Sequence, residues 1–415
     1  MLTGIFGADR LQLAEDVVQE AMARALQTWP YYGVPKNPAA WLTLTAKNLA
    51  LDVIRREKLF HEKQPQVITY MEQWAGEVAV EDSPSFETEI KDGRLRLIFT
   101  CCHPALPQES QTALALKTLC GFSPAEIATA FLTTEAAIAK RLTRARQRIQ
   151  ELKIRFEIPS GDELPARLDA VLQTLYLLFN EGYKASSGES LIRDELCKEA
   201  IRLTAALAEH PASRQPRVNA LLALMLLNGA RFKSRMDSDG NILRLKDQNR
   251  ANWDSRMIGM GMFHLAQSAA GKEISAYHMQ AAISACHCTA SSYEATDWRQ
   301  ILALYDRLVE IEDSPITRLN RAVALAEVEG PQAAIESMKA IQESALSSYY
   351  LYYAVLGEFE ARLGNFEAAT RHLTQALKLT EIKSEQQLLL KRMSECREKS
   401  GEEESVFAGG ERSAS

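Results

Sequence analysis

The sequence predicts an all-α fold on three observations. Ala, Leu, Glu and Arg are abundant while Gly and Pro are held to 20 and 14 of 415 residues, a mixture that favours helix almost throughout. Apolar residues recur at spacings of three and four in several segments. Helix-start signals stand immediately before those segments. The length gives room for roughly two to four domains, and a hydrophobic content of 46% can fill their cores. No apolar run reaches the roughly 18 residues of a membrane span. The start MLTGIFGADRLQLAED lacks the basic residues and small-residue cleavage site of a signal peptide. Seven scattered cysteines fit reduced thiols in a cytoplasmic protein.

Residues 11–29 read as an amphipathic helix with Val18, Met22, Ala25 and Trp29 on one face. Asn37-Pro38 starts a second helix, with Asn as cap and Pro in the first turn, running to about Lys58. Residues 61–92 carry eight acids and two lysines, few periodic apolar positions and Ser83-Pro84, and read as an acidic linker. Helix resumes from 94. Pro104 and Pro107 separate a first segment from one over 108–120, which Gly121 ends. Ser123-Pro124-Ala125-Glu126 is a capping box opening a short helix to about Phe131. Leu132-Thr133 makes a turn, and Thr134 caps a longer helix. Short helix, tight turn and longer helix together form the helix-turn-helix pattern.

Pro159-Ser160-Gly161 marks a further boundary. Residues 165–290 are mostly apolar helix, interrupted by the polar stretch 231–255. There Arg231, Arg235, Asp237, Asp247, Arg250 and Asp254 suggest a salt-bridge network, with a signal-binding patch as the alternative. Residues 298–393 contain a weak repeat: Ala326 and Ala361, and Ala334 and Ala369, are each 35 apart, with Gly330 and Gly364 at matching turns. ARLGNFEAATRHLTQAL, residues 361–377, has the pattern of a tetratricopeptide helix pair. The tail, charged and then Gly/Ser-rich, reads as disordered over 396–415.

One helix reverses the charge of the chain. The whole carries −6, yet residues 138–155 hold Lys140, Arg141, Arg144, Arg146, Arg148, Lys153 and Arg155 against Glu151 alone; that stretch is +6 and the remainder −12. A polyanionic partner for a single element fits this concentration. On a helical wheel from Thr134, the core stripe is Ile138, Leu142, Ala145, Ile149 and Leu152. Ala136, Ala139, Lys140, Thr143 and Gln147 face the other way, with Arg141, Arg144 and Arg148 on one flank and Arg146 on the other. Slim residues let a helix approach base edges in a major groove, and flanking guanidinium groups hold phosphates. Lys140 and Arg144 are the base-edge candidates; Arg141, Arg146 and Arg148 are the phosphate clamps. The competing reading is a basic face that is solvated or paired internally.

The helix over 37–58 carries a core stripe of Leu42, Ala46, Leu49 and Val53, and a second stripe of Trp41, Thr45, Asn48, Asp52 and Arg55. An aromatic that can stack, an amide that can bond a base edge and an arginine for the backbone suit an unpaired strand. The alternative puts Trp41 in the core and pairs Asp52 with Arg55 or Arg56.

No cofactor or metal is expected. Cys101-Cys102-His103 and Cys286-His287-Cys288 lack the paired spacing of zinc ligands, and packing is the simpler account of both. Asp237-Ser238-Asp239-Gly240 has its glycine too early for a calcium loop and reads as a turn. No nucleophile–base set or phosphate loop appears, so the chain does not read as an enzyme.

LAEDVVQEAMARALQTW, then NPAAWLTLTAKNLALDVIRREK, an acidic linker and SPAEIATAFLTTEAAIAKRLTRARQRI together resemble bacterial extracytoplasmic-function sigma factors. RLRLIFTCCHPAL (94–106), YLLFNEGYKASSG…LCKEAIRLT (176–204), DWRQILALYDRLV (297–309) and LNRAVALAEVEGPQAAI (319–335) resemble the subgroup with a long helical, tetratricopeptide-like C-terminal extension. The resemblance covers nearly the whole chain. It implies region two over 1–60, the linker over 61–92 along the path of nascent RNA, and region four over 93–158. The extension follows over 165–295, with tetratricopeptide-like helices over 296–395. Glu15, Asp16, Gln19 and Glu20 would face core RNA polymerase. Trp41, Asn48, Asp52, Arg55 and Arg56 would meet and melt the −10 element of promoter DNA. Thr134, Ala136, Lys140, Arg141, Thr143, Arg144, Arg146 and Arg148 would read the −35 duplex. The extension would regulate these domains and bind a protein or peptide. Members of the family carry a full helix before LAED; here only about a dozen residues precede it, so region two is expected to lack most of that helix or to have its start misassigned, with apolar surface exposed around Val18 and Met22. The alternative is a helix-turn-helix regulator with a tetratricopeptide-like sensor that is not a polymerase subunit.

Overall fold

The computed structural model describes residues 11–35, 37–60, 92–152, 154, 163–185, 192–238, 240–271, 273–341 and 346–410. Most of the acidic linker lies outside the described residues. Within them every regular element is helical, beside one isolated β-bridge between Met236 and Ile242. The chain divides into two compact units: residues 1–174 with 210–212, and residues 175–209 with 213–415.

In the first unit, α1 (Leu11–Tyr32) packs on α2 (Pro38–Phe60). Asn37 caps α2, its Oδ1 accepting the Ala40 N–H at 3.1 Å. The contact is made by Val17, Ala21, Ala46 and Ala50, with Leu13, Val18, Leu42 and Leu49 around it. The buried face of α1 is therefore rotated from the sequence expectation: Val17, Ala21 and Ala25 are inside, while Met22 is 50% exposed. Alanines facing alanines let the two backbones approach, and this close approach selects the small residues over the bulkier neighbours.

Helix α3 (Gly93–Cys101) starts at Asp92, whose carboxylate accepts the Leu95 N–H at 2.9 Å, so the last acid assigned to the linker is a helix cap. α4 (Gln108–Leu119), α5 (Pro124–Ala130) and α6 (Glu135–Glu151) follow and close around Phe99, Leu114, Phe122, Ile127 and Ile138. The division between the units falls inside α7 (Leu164–Tyr183). The first half of α7 belongs with α3 and α4. Buried Arg167 donates to the Phe99 carbonyl at 3.2 Å, and Thr112 donates to Gln173 Oε1 at 3.2 Å.

The second unit continues with α8 (Asp194–Glu209), α9 (Pro216–Gly229), α10 (Ser255–Ser268) and α11 (Ala276–Thr289). α9 is apolar and buried all round, from Leu221 to Leu227, which makes it the hub on which α8, α10 and α11 pack. α12 (Trp298–Ile311), α13 (Pro315–Val328), α14 (Pro331–Met338), α15 (Tyr350–Arg362), α16 (Phe366–Lys378) and α17 (Lys383–Gly410) each pack on the helix before them. Gly330 and Gly364 both adopt positive φ, +94° and +83°, at the equivalent turns of the repeat. Ala326, Ala334 and Ala369 are buried. Arg362 joins the two copies, pairing with Glu327 at 2.6 Å. The tail departs from expectation: α17 is helical to Gly410, anchored by the buried stripe Leu389, Met393 and Cys396 and continued by helix-forming glutamates.

Between α9 and α10 the chain makes short 3₁₀ turns at Phe232–Ser234, Leu245–Asp247 and Arg250–Asn252. The salt-bridge network expected there does not form among its six residues, because the acids serve local structure. Asp237 accepts from Asn241 N at 2.8 Å in a tight turn, Asp247 pairs with Arg244 at 2.6 Å, and Asp254 caps α10 through Arg256 N and Met257 N.

Candidate nucleic-acid interface

The α5–α6 unit is built from local signals. Ser123 and Glu126 close a reciprocal capping box, with Ser123 N donating to Glu126 Oε2 at 2.7 Å and Glu126 N to Ser123 Oγ at 3.1 Å. α5 then ends in a Schellman arrangement. Thr133 N donates to the Ala128 carbonyl at 2.9 Å and Leu132 N to Thr129 at 3.2 Å, with Leu132 held at φ +50°. Thr134 caps α6 through Ala137 N at 3.2 Å. Ile138, Leu142, Ala145 and Ile149 anchor α6; Leu152, expected in that stripe, sits at the helix end and is 43% exposed.

The opposite face of α6 is open. Thr134, Ala136, Ala139, Lys140, Thr143, Arg144 and Gln147 are all exposed, and Thr143 returns its hydroxyl to the Ala139 carbonyl at 2.9 Å. The arginines separate into two groups. Arg144 is exposed, and exposed Arg148 lies 3.7 Å from Glu151, a loose pair of little energetic weight. Arg141 instead pairs with Glu109 of α4 at 2.5 Å and lies 5.3 Å from the centre of the Phe131 ring. Arg146 donates to Glu15 of α1 at 2.8 Å, and both side chains are mostly buried. Two of the three expected phosphate clamps are thus held inside the unit. No periodicity reveals these partners, because Glu15 is 131 residues from Arg146.

On α1, Asp16, Gln19 and Glu20 are exposed, Glu20 beside Arg24 at 3.0 Å, while Glu15 is withdrawn by Arg146. On α2, Asn48 is exposed, and Trp41 is half-buried with its ring edge-on to Trp29 at 5.6 Å. The side chains of Asp52, Arg55 and Arg56 lie outside the described residues. At the end of α3, Cys101 and Cys102 are buried; burial pushes both thiols up, Cys102 to about 12. His103 Nδ1 accepts the Ala105 N–H at 3.1 Å. Among the described residues no group of three or more His, Cys, Asp or Glu is arranged to hold a metal ion, and no helix is long and apolar enough to cross a membrane.

Family models match three stretches: Sigma-70 region 2 over residues 7–60, Sigma-70, region 4 over 96–149, and a family of unknown function (DUF6596) over 167–269. The chain belongs to the sigma-70 factors, as an ECF-like member with a C-terminal extension. An uncharacterized protein of Rhizobium meliloti (strain 1021) is 38% identical over 378 residues, covering 90% of this chain and 88% of that protein. No solved structure matches. In this sigma factor α1 and α2 form region two, α3 to α6 lie in region four, and DUF6596 spans α7 to α10.

Proposed function

We propose that this sigma factor carries core RNA polymerase to promoters whose −35 element is read as duplex by α6 and whose −10 element is opened by α2. The observation that supports this most is the exposed face of α6, where Ala136, Ala139 and Thr143 leave room for groove walls and Lys140 and Arg144 stand free beside them. Lys140 and Arg144 contact base edges or the phosphates next to them, and Arg148 holds backbone. Trp41, Asn48, Asp52, Arg55 and Arg56 engage the separated strand, which stabilises the open promoter over the duplex. Asp16, Gln19 and Glu20 meet a basic surface of polymerase. Glu15 and Arg146 neutralise one another in the free chain, so each becomes available to its partner only when they separate. The extension regulates this access, its tandem helical hairpins offering a surface of the kind that takes a peptide or protein.

The deciding experiment adds the purified chain to bacterial core polymerase free of other sigma factors and looks for promoter-directed run-off transcripts. Transcripts starting at defined sites are expected. Their absence, together with no binding to core polymerase, refutes the proposal; output only when another sigma factor is supplied would make the chain a regulator.

A further inference from the structure

In the polar stretch between α9 and α10, Arg244 and Lys246 are ion-paired, to Asp247 and Glu358, but Arg231, Arg235 and Arg250 are held by other groups. Arg231 donates through Nε to Gln248 Oε1 at 3.3 Å, and its guanidinium carbon lies 5.2 Å from the centre of the Trp253 ring. Arg250 approaches the same ring at 5.0 Å and spends its donors on the His287 and Ala290 carbonyls, at 2.6 and 2.7 Å, and on Thr296 Oγ1 at 3.0 Å. Arg235 lies over the Tyr183 ring at 3.8 Å and donates to the Tyr183 carbonyl. Among the described residues none of the three forms a salt bridge, although the Glu294 carboxylate acts on Arg250 from a longer distance. The charge of Arg250 is offset by the carbonyl end of α11; Arg231 has only one neutral amide oxygen and an aromatic face.

Two further polar atoms here have no partner. Trp253 is 6% exposed and its Nε1–H meets no acceptor, although a buried indole N–H normally finds one. His287 Nδ1 is buried and unpaired as well. Burial and the two arginines push His287 down to about 4, so the ring is neutral near pH 7 and presents an N–H on one nitrogen. Guanidinium and indole groups only donate hydrogen bonds. The group that completes such a set accepts hydrogen bonds and carries negative charge.

We propose that Arg231 and Trp253, with His287 beside them, form a binding site in the extension for a phosphate-class oxyanion, either free phosphate or the phosphate group of a small metabolite. The ligand would neutralise Arg231, accept a hydrogen bond from the Trp253 indole N–H, and hold Arg231 and Trp253 against the end of α11. None of its residues belongs to the promoter-reading surfaces.

The test uses the full chain, freed of phosphate, titrated with inorganic phosphate at constant ionic strength and followed by calorimetry. Chloride, acetate and ribose 5-phosphate are titrated in parallel. Saturable binding of phosphate is expected, with ribose 5-phosphate tighter if the occupant is a metabolite and no tighter if it is the free ion. Arg231→Gln should weaken binding about tenfold or more, and Trp253→Phe, which keeps the ring face and removes only the N–H, several-fold. Arg307→Gln, an exposed control on α12, should change nothing. Should Arg231→Gln prove unfolded by circular dichroism, Trp253→Phe decides alone. Absence of saturable binding, equal response to chloride or acetate, or unchanged affinity in Trp253→Phe would overturn the proposal. Promoter-directed transcription is measured separately, so either idea can fail without the other.

Discussion

Replacing Glu15 by Gln keeps the shape of the side chain and removes the charge that holds Arg146. The pair is 2.8 Å long, with 24% of the arginine side chain and 18% of the glutamate exposed. Hydrogen bonds to charged groups contribute about 1.5–3 kcal/mol when shielded, and exposed ion pairs about 0–1 kcal/mol. A pair at this depth lies between them, and Gln still offers a neutral acceptor, so the loss is about 1 kcal/mol. In the free chain this energy competes with DNA phosphate for Arg146. Glu15→Gln therefore raises affinity for a −35 duplex by about fivefold, read by fluorescence anisotropy at one fixed salt concentration. The duplex comes from a promoter that the protein transcribes in run-off assays. Glu20→Gln is the matched control: Glu20 lies on the same helix, paired to Arg24 in solvent, and loses the same charge without touching α6. The expected order of affinity is Glu15→Gln first, then wild type and Glu20→Gln together, then Arg146→Ala. The double variant should match Arg146→Ala alone, because the glutamate acts only through that arginine. If Glu15→Gln and Glu20→Gln raise affinity equally, the effect is general charge and the competition argument is wrong.

Four further outcomes are expected. Ala139→Glu puts a carboxylate on the open face of α6 and should lower −35 duplex affinity by at least about tenfold while leaving helical circular dichroism unchanged, since Glu is a strong helix former. Leu132→Gly relieves a left-handed backbone that costs an L-residue about 1–2 kcal/mol, partly offset by glycine's unfolded-state entropy, for a net gain of about 0.5–1 kcal/mol; Leu132→Val should destabilise, and native-state hydrogen exchange of α5 and α6 reads both. Ser123→Ala opens the capping box and should cost about 1 kcal/mol in the same exchange measurement. His287 binds its proton less readily folded than unfolded, so its neutral form stabilises the fold above pH 6.5, and that contribution is lost as pH falls towards about 4; it amounts to about 3 kcal/mol, and His287→Gln should flatten this part of the denaturation-versus-pH curve.

The fold was legible where one segment holds its own instructions. Ser123, Pro124 and Glu126 carry a capping box in four residues, and Ile138, Leu142, Ala145 and Ile149 mark a stripe that needs only a core to face. The repeat was legible at Gly330 and Gly364 because a positive φ restricts the residue type. Legibility weakened where the choice lay between neighbours of similar polarity. On α1 both the Val17/Ala21 and Val18/Met22 registers are apolar, and α2, offering Ala46 and Ala50, decides between them. At the other end, charge and a Gly/Ser-rich end suggested disorder for the tail. Yet Leu389, Met393 and Cys396 have one face to bury, and the glutamates beyond them favour helix.

Charge counting failed for a different reason. It locates a surplus but does not say which charges are already committed. Five of the seven surplus cations lie on α6, while Lys153 and Arg155 fall outside the described residues; of the five, Glu109 and Phe131 take Arg141, and Glu15, far away in the sequence, takes Arg146. In 231–255 acids and arginines are interspersed as if paired, but a side-chain carboxylate next to a helix start or a tight turn has free backbone N–H groups within reach. Asp254 and Asp237 take these local partners, and Arg231, Arg235 and Arg250 are left to aromatic faces, an amide oxygen and carbonyls. The same logic orders the candidate DNA contacts. A guanidinium already paired inside the fold must give up that pair before it can hold a phosphate, whereas Lys140 and Arg144 surrender only water. Contacts made by those two should therefore form first as the helix meets DNA, and those of Arg141 and Arg146 only when the surrounding acids are drawn away.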